Sequence, residues 1–185
     1  GVKSISTWET GSIGAFNGCT KLDTLIIGNS VTTIPSLAFS GCQNLSSVFI
    51  GNSVQNIGYR AFYRCSSLSS VHISDIGAFC KITFGDDGNP LQKAKKLYLN
   101  GQEVNNLVIP DGVNRVNPKV FSGCSSLTSV TIPDSTYISE RAFSDCPDLK
   151  SVNFSNDIDS IGDYAFSGCT KLESLKSATN SHADL

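Results

Sequence analysis

The sequence predicts an α/β repeat solenoid forming one domain over residues 1–185, and three observations predict it. The first is a near-copy: "FNGCTKLDTL" begins at Phe16 and "FSGCTKLESL" begins at Phe166. The second is cysteine spacing. Cys19, Cys42 and Cys65 stand 23 residues apart, Cys124 and Cys146 stand 22 apart, and Cys146 and Cys169 stand 23 apart. The third is a ladder of apolar pairs: Leu25/Ile27, Val48/Ile50, Val71/Ile73, Leu97/Leu99, Leu107/Ile109, Val130/Ile132 and Val152/Phe154, with Leu175/Ser177 last. Self-similarity at a fixed period of this size means stacked coils, so the two near-copies are equivalent positions in one array.

A composite unit reads L-x-x-V-x-I-(G/P)-(N/D)-S-V-x-x-I-x-x-x-A-F-S-G-C-x-x. The V-x-I alternation predicts a short strand with both apolar side chains on one face. Turn chemistry follows at Gly28-Asn29, Gly51-Asn52, Pro110-Asp111 and Pro133-Asp134, where glycine or proline sets the backbone and the Asx side chain bonds to it. Val31 with Ile34, Val54 with Ile57, Val113 with Val116, and Ile158 with Ile161 then return apolar groups inward. Ala38-Phe39, Ala61-Phe62, Val120-Phe121, Ala142-Phe143 and Ala165-Phe166 are expected to begin a short helical or 3₁₀ turn. That turn ends near "SGC", where glycine permits a left-handed exit. One unit cannot fold alone, because ordering costs about 1–2 kcal/mol per residue and each buried apolar side chain returns roughly 1.5–3 kcal/mol. Coils must therefore stack and share strands and core.

Residues 74–106 depart from the unit. "DIGAFCKITF" reads as a shortened I-x-x-A-F segment followed by a strand at Lys81 to Phe84, "GDDGNP" as a turn, and "LQKAKK" as a short helix. "LYLNGQEV" places Asn-Gly between apolar stretches, a strong hairpin signal. Leu97 to Leu99 is thus either a rung of the parallel sheet or one arm of an antiparallel hairpin. The expected form is an irregular coil whose hairpin joins the main sheet.

"VTIPDSTYISERAFSDCPDLKSV" and "VFIGNSVQNIGYRAFYRCSSLSSV" resemble the BspA-like class of bacterial leucine-rich repeats, in which an AF-x-x-C segment precedes L-x-x-V-x-I-P. The resemblance covers nearly the whole chain, with a contracted first copy from Ser12 to Phe16. It implies a right-handed, curved leucine-rich-repeat solenoid with short parallel strands on the concave face. It also implies a cell-surface or secreted protein that binds other macromolecules, adhesin-like towards host or neighbouring-cell proteins. "GVKSIST" is not a natural start, so the chain is expected to be a mature or excised piece of a longer protein.

Composition narrows the function classes. At 39% hydrophobic and 16% charged residues the chain suits a folded domain rather than a disordered one. A formal charge of −2 gives no basic surplus for nucleic acid or anionic lipid. No apolar run approaches the roughly 18 residues of a membrane span, so no membrane insertion is expected in this segment.

Candidate chemistry is sparse. The seven cysteines lack a CxxC pair, and one small apolar residue per coil suits a column of reduced core thiols better than redox or zinc chemistry. Cys80 stands outside the series and is the thiol to test for reactivity. His72 shares a strand face with Ser70 and lies near Asp75, but serine recurs in that column from Ser47 to Ser174, which favours a structural role over a triad. His182 lies in a polar tail. Asp86 and Asp87 in "GDDGNP" invite calcium but lack EF-hand spacing, and an acidic turn suits them better. No enzyme activity and no cofactor are expected.

The most informative feature is the middle residue of each V-x-I, which points away from the core. Along the array it is Ile26, Phe49, His72, Tyr98, Val108, Thr131, Asn153 and Lys176. The first five are apolar or aromatic, and the column then turns polar. With rungs about 4.8 Å apart, Ile26 to Tyr98 would span roughly 15 Å, rimmed by Thr24, Ser47 and Ser70. Such a stripe suits a partner-binding surface for a protein ligand, with a glycan on an aromatic ladder as the alternative. The competing interpretation is cross-strand packing, which aromatic and β-branched residues also favour.

Overall fold

The computed structural model describes residues 2–5, 14–155 and 160–177 of the 185. Ile158, His182 and the start of the contracted copy at Ser12 lie outside the described residues. The chain runs β1 (Val2–Ile5), β2 (Thr24–Ile27), β3 (Thr33–Ile34), β4 (Ser47–Phe49), β5 (Asn56–Ile57) and β6 (Ser70–Ile73). The irregular coil holds α1 (Ile76–Cys80), β7 (Thr83–Phe84), α2 (Leu91–Ala94), β8 (Leu97–Leu99) and β9 (Gln102–Glu103). Regular coils resume with β10 (Asn106–Val108), β11 (Arg115–Val116), β12 (Ser129–Ile132), β13 (Tyr137–Ile138), β14 (Ser151–Phe154), β15 (Ser160–Ile161) and β16 (Ser174–Ser177).

These strands form two main sheets and two side sheets. The main sheets run β1-β2-β4-β6-β8-β9 and β10-β12-β14-β16, and the side sheets run β3-β5-β7 and β11-β13-β15. All pairs are parallel except β8 with β9. Register follows the sequence period: Leu25 lies beside Val48, Val48 beside Val71, and Val71 beside Leu97. All four are fully buried, as the alternation requires. The stacked-coil architecture expected from the period is the one observed.

The Ala-Phe segments build the far wall of the core as tight turns, not helices. Ala38, Ser40 and Cys42 donate locally to Pro35, Leu37 and Phe39, whereas Leu37, Phe39 and Gly41 donate to Tyr59, Ala61 and Tyr63 of the next coil, at 2.9, 2.9 and 2.7 Å. Alternate amides are committed to a neighbour, so the i→i−4 ladder of a helix has no donors to use. The backbone achieves this with left-handed residues at Leu37, Arg60, Lys119, Arg141 and Tyr164. At the turn exit Gly18, Gly41, Gly123 and Gly168 take positive φ as expected, but Arg64 (φ 58°) and Asp145 (φ 56°) occupy the same position without glycine. Among the described residues helices appear only in the irregular coil, where α1 is capped by Asp75 accepting from the Ala78 amide at 2.9 Å.

Two columns fill the space between the walls. Phe16, Phe39 and Phe62 stack at 5.5 Å per step, and Phe121, Phe143 and Phe166 stack at 5.1 and 5.4 Å. Beside them the cysteines are free thiols, and Cys42, Cys65, Cys146 and Cys169 each donate to a phenylalanine carbonyl of the preceding coil at 3.2 Å. Cys80, singled out for reactivity, is instead fully buried at the end of α1. Burial, reinforced by the charge of Asp75, pushes its thiol up to about 12, so no nucleophilic thiolate forms there near neutral pH.

The irregular coil joins the two halves through particular side chains. Leu97 to Leu99 is both a rung and a hairpin arm, parallel to β6 on one edge and antiparallel to β9 on the other. Asn100 (φ 50°) and Gly101 (φ 82°) both take the left-handed region that a two-residue type I′ hairpin needs. On the opposite wall, buried Asn89 donates through Nδ2 to the Lys119 and Val120 carbonyls at 2.8 and 3.1 Å, and its Oδ1 accepts from the Leu91 amide at 2.9 Å. Asn117 donates from its amide to the Cys80 carbonyl at 2.9 Å and from Nδ2 to the Lys81 carbonyl at 2.7 Å. Phe79 of α1 packs on Phe121 at 5.7 Å, carrying the aromatic core across the join.

Replacing Asn89 with alanine leaves the buried Val120 carbonyl and Leu91 amide without their partner, while the Lys119 carbonyl keeps the Ser122 amide at 3.1 Å, and is expected to cost on the order of 1–3 kcal/mol in urea unfolding. A cost below about 0.5 kcal/mol, the range of ordinary surface substitutions, would show that the halves do not depend on this residue. The thiols supply a second check. At pH 8 a thiol reagent should label exposed Cys19 first and reach Cys80 only at the rate of unfolding. Because the folded values of Cys65 and Cys80 are raised, their stabilising contribution is complete below 9.0 and disappears as pH climbs towards about 12. A Cys80→Ala protein should lose stability less steeply over that window.

Candidate functional site

The outward column of the first main sheet is built by strand alternation. In β2 and β4 the pattern buries Leu25, Ile27 and Val48 and leaves Ile26 at 37% and Phe49 at 38% exposure. Register then places Ile26 beside Phe49, Phe49 beside His72, and His72 beside Tyr98. The three rings stack face to face, with centroids 4.2 Å apart for Phe49–His72 and 4.7 Å for His72–Tyr98, and interplanar angles of 12° and 20°. Half-burial between two rings lowers the His72 imidazole below its ordinary value, so it is uncharged at neutral pH.

Polar groups hold this stack in place. His72 Nε2 lies 3.0 Å from Ser70 Oγ, and the Ser70 hydroxyl donates to Ser47 Oγ at 3.0 Å. With its single proton given to Ser47, Ser70 accepts from His72, which fixes the Nε2–H tautomer. A nucleophilic serine needs the opposite arrangement, in which histidine accepts the hydroxyl proton. Asp75, the acid nearest in sequence, is occupied in capping α1. At the far end Tyr98 donates to Glu103 Oε2 at 3.3 Å, and Glu103 is ion-paired with Lys96.

Val108 does not continue the stack. It lies on β10, the first strand of the second main sheet, and β9 intervenes between β8 and that sheet. Its neighbour in register is Thr131, and at 62% exposure it stands more open than the other four. The hairpin tip also divides the surface into two grooves. One, of about 450 Å³, lies along Ile26, Phe49 and His72 between the Asn29 turn and Gly101. The other, of about 540 Å³, lies between Leu99 and Glu103 of the hairpin and Leu107 and Val108 of β10.

Other sequence candidates resolve into structural roles. Asp86 pairs with Lys119 at 3.2 Å and Asp87 with Arg60 at 3.4 Å, so the acidic turn is neutralised by neighbouring coils. Among the described residues no group of three or more His, Cys, Asp or Glu could hold a metal ion. Sequence reasoning missed the cluster around Arg60, whose guanidinium lies 4.8 and 4.7 Å from the ring centroids of Tyr59 and Tyr63. The signal was present in "YRAFYR", where aromatic and cationic residues flank the buried pair at every step.

One of the similar solved structures shares the fold at a TM-score above 0.5. The leucine-rich repeat protein TpLRR of T. pallidum superposes with a TM-score of 0.56 at 21% identity, over 92% of this chain and 77% of that one. A leucine-rich cell surface protein from Faecalibacterium prausnitzii A2-165 superposes with a TM-score of 0.39 at 21% identity, over 89% of this chain and 62% of that one. The pneumococcal vaccine antigen PcpA superposes with a TM-score of 0.37 at 16% identity, over 94% of this chain and 65% of that one. No curated protein matches the sequence. The family model of the BspA type leucine-rich repeat region matches residues 6–86 and 94–183 in 6 copies, a span that includes every regular coil and the stacked column. By that match the chain belongs to the BspA-type leucine-rich repeat family.

Proposed function

We propose that this chain is a non-enzymatic interaction module that docks a protein segment along Ile26, Phe49, His72 and Tyr98, with Val108 as a separate apolar contact on the second sheet. The observation that carries this is the uncharged aromatic stack on the outward face of the sheet, with Phe49 exposed and His72 and Tyr98 half-buried. A rigid apolar surface flanked by satisfied polar groups loses little freedom when it binds. Membership of the family supports reading it as a cell-surface or secreted protein, adhesin-like towards host or neighbouring-cell proteins. No helix among the described residues is long and apolar enough to cross a membrane.

Ring geometry favours protein over glycan. A sugar stacks on an open ring face, whereas His72 has both faces covered and Phe49 and Tyr98 each have one face turned to His72. What the stack presents outward is a row of ring edges beside a groove, which suits aliphatic and aromatic side chains. The hydrogen bonds of Ser70 and the cap made by Asp75 likewise count against hydrolytic chemistry.

The test is a Phe49→Ser, Tyr98→Ser protein probed against immobilised extracellular-matrix proteins and a glycan array. Removing two exposed ring pairs should cost about 1–3 kcal/mol of stability and leave the fold intact by circular dichroism. Binding to a matrix protein should weaken at least tenfold. Undiminished binding would remove the stripe as the site, and a signal confined to glycans would replace the protein reading.

A further inference from the structure

The join between the two half-arrays leaves a strand edge open in the middle of the chain. Parallel register sets Asn106, Leu107 and Val108 beside Ser129, Val130 and Thr131. The Ser129 amide donates to the Asn105 carbonyl and the Ile109 amide to the Thr131 carbonyl, at 3.2 and 2.9 Å. In a parallel ladder alternate residues bond to opposite sides, so Leu107 serves β12 and the amides and carbonyls of Asn106 and Val108 point the other way. Among the described residues no backbone group pairs with them. This edge is interior to the array, and lengthening the chain at either end would not cover it.

Elsewhere the join is closed by direct bonds. Asn117 and Asn89 stitch the far walls, and the Lys95 carbonyl accepts the Ser125 and Ser126 amides at 2.9 and 3.3 Å. Along β10 a groove of about 540 Å³ separates the halves. Its lining combines apolar Leu99 and Val108 with the uncharged amides Asn100, Gln102, Asn105 and Asn106, and Glu103 on its rim is already neutralised by Lys96. Such walls favour an occupant without charge.

We propose that this groove binds an extended, uncharged polypeptide segment that adds to β10 as an edge strand, through the outward amides and carbonyls of Asn106 and Val108. Two donors and two acceptors repeating every second residue specify a polypeptide backbone in β conformation, which a sugar or small molecule does not reproduce. Apolar residues at alternate positions of the segment would meet the groove walls, the pattern this chain's own rungs carry. The site shares Val108 with the proposed docking surface, but Phe49 and His72 of the aromatic stack lie outside its lining.

The probe is a capped, tetramethylrhodamine-labelled nonapeptide of residues 125–133, "SSLTSVTIP", which carries no charged side chain and whose own strand pairs with the other edge of β10. Fluorescence anisotropy should show saturable binding to the wild-type chain, unchanged in a Phe49→Ser stripe variant, whose substitution lies outside the groove lining. Val108→Pro removes one outward donor while sparing the bonds to β12, and should weaken binding about tenfold. The peptide N-methylated from Thr128 to Ile132 should not bind wild type. That arm decides the matter even if Val108→Pro fails to fold. Absence of saturation up to about 1 mM peptide overturns the proposal. So does equal binding by the methylated peptide, or loss in the stripe variant with retention in Val108→Pro.

Discussion

Everything in this molecule depends on the amide groups that one coil donates to the next. Strands do this in the main and side sheets, and the Ala-Phe turns do it through every second residue, as at Leu37, Phe39 and Gly41. Each such bond contributes only about 0.5–1.5 kcal/mol, but leaving one buried and unmade costs more. Coils therefore persist only where a neighbour with the same backbone path lies against them. The buried phenylalanine and cysteine columns follow from that constraint, since identical backbone paths place identical side chains above one another.

The same constraint frees the outward column. Once Leu25, Val48 and Val71 have secured the core and the ladder has secured the backbone, the residue between them has no structural duty of its own. Sequence there can vary from Phe49 to Lys176 at a cost of a few kcal/mol at most, with the fold kept. In the first half that freedom is used for rings in mutual contact, and in the second for Thr131, Asn153 and Lys176. Uniform scaffolding with a variable outer row is a physical basis for recognition, because geometry is inherited while surface chemistry is chosen rung by rung.

The period, the rungs, the side-sheet residues from Val31 to Val116 and the outward direction of Ile26, Phe49, His72 and Tyr98 were legible because each depends on local alternation copied at a fixed interval, whereas Ile161, expected inward, is 44% exposed on the last side-sheet strand. The turn conformation of the Ala-Phe segments was not. Propensity at Ala38-Phe39 favours a helical turn, and only the competing claim of the next coil on alternate amides overrides it. Val108 was grouped with the stack because its V-x-I position matches. That it belongs to a second sheet follows from β9, which takes the place on β8 that a further rung would fill. Asn89 reads as one more turn residue in "GDDGNP", since its partners at Lys119 and Val120 lie 30 and 31 residues away.

Asn89, Asn117 and Phe79 also constrain how this chain can change over evolutionary time. Inside either half, duplicating or deleting a whole unit returns the same neighbours to each other, so arrays can grow or shrink and the recognition row with them. Across the join no such exchange is neutral, because those three side chains fit one particular pair of coils. The irregular coil is thereby a fixed landmark, with variable lengths of regular scaffold on either side.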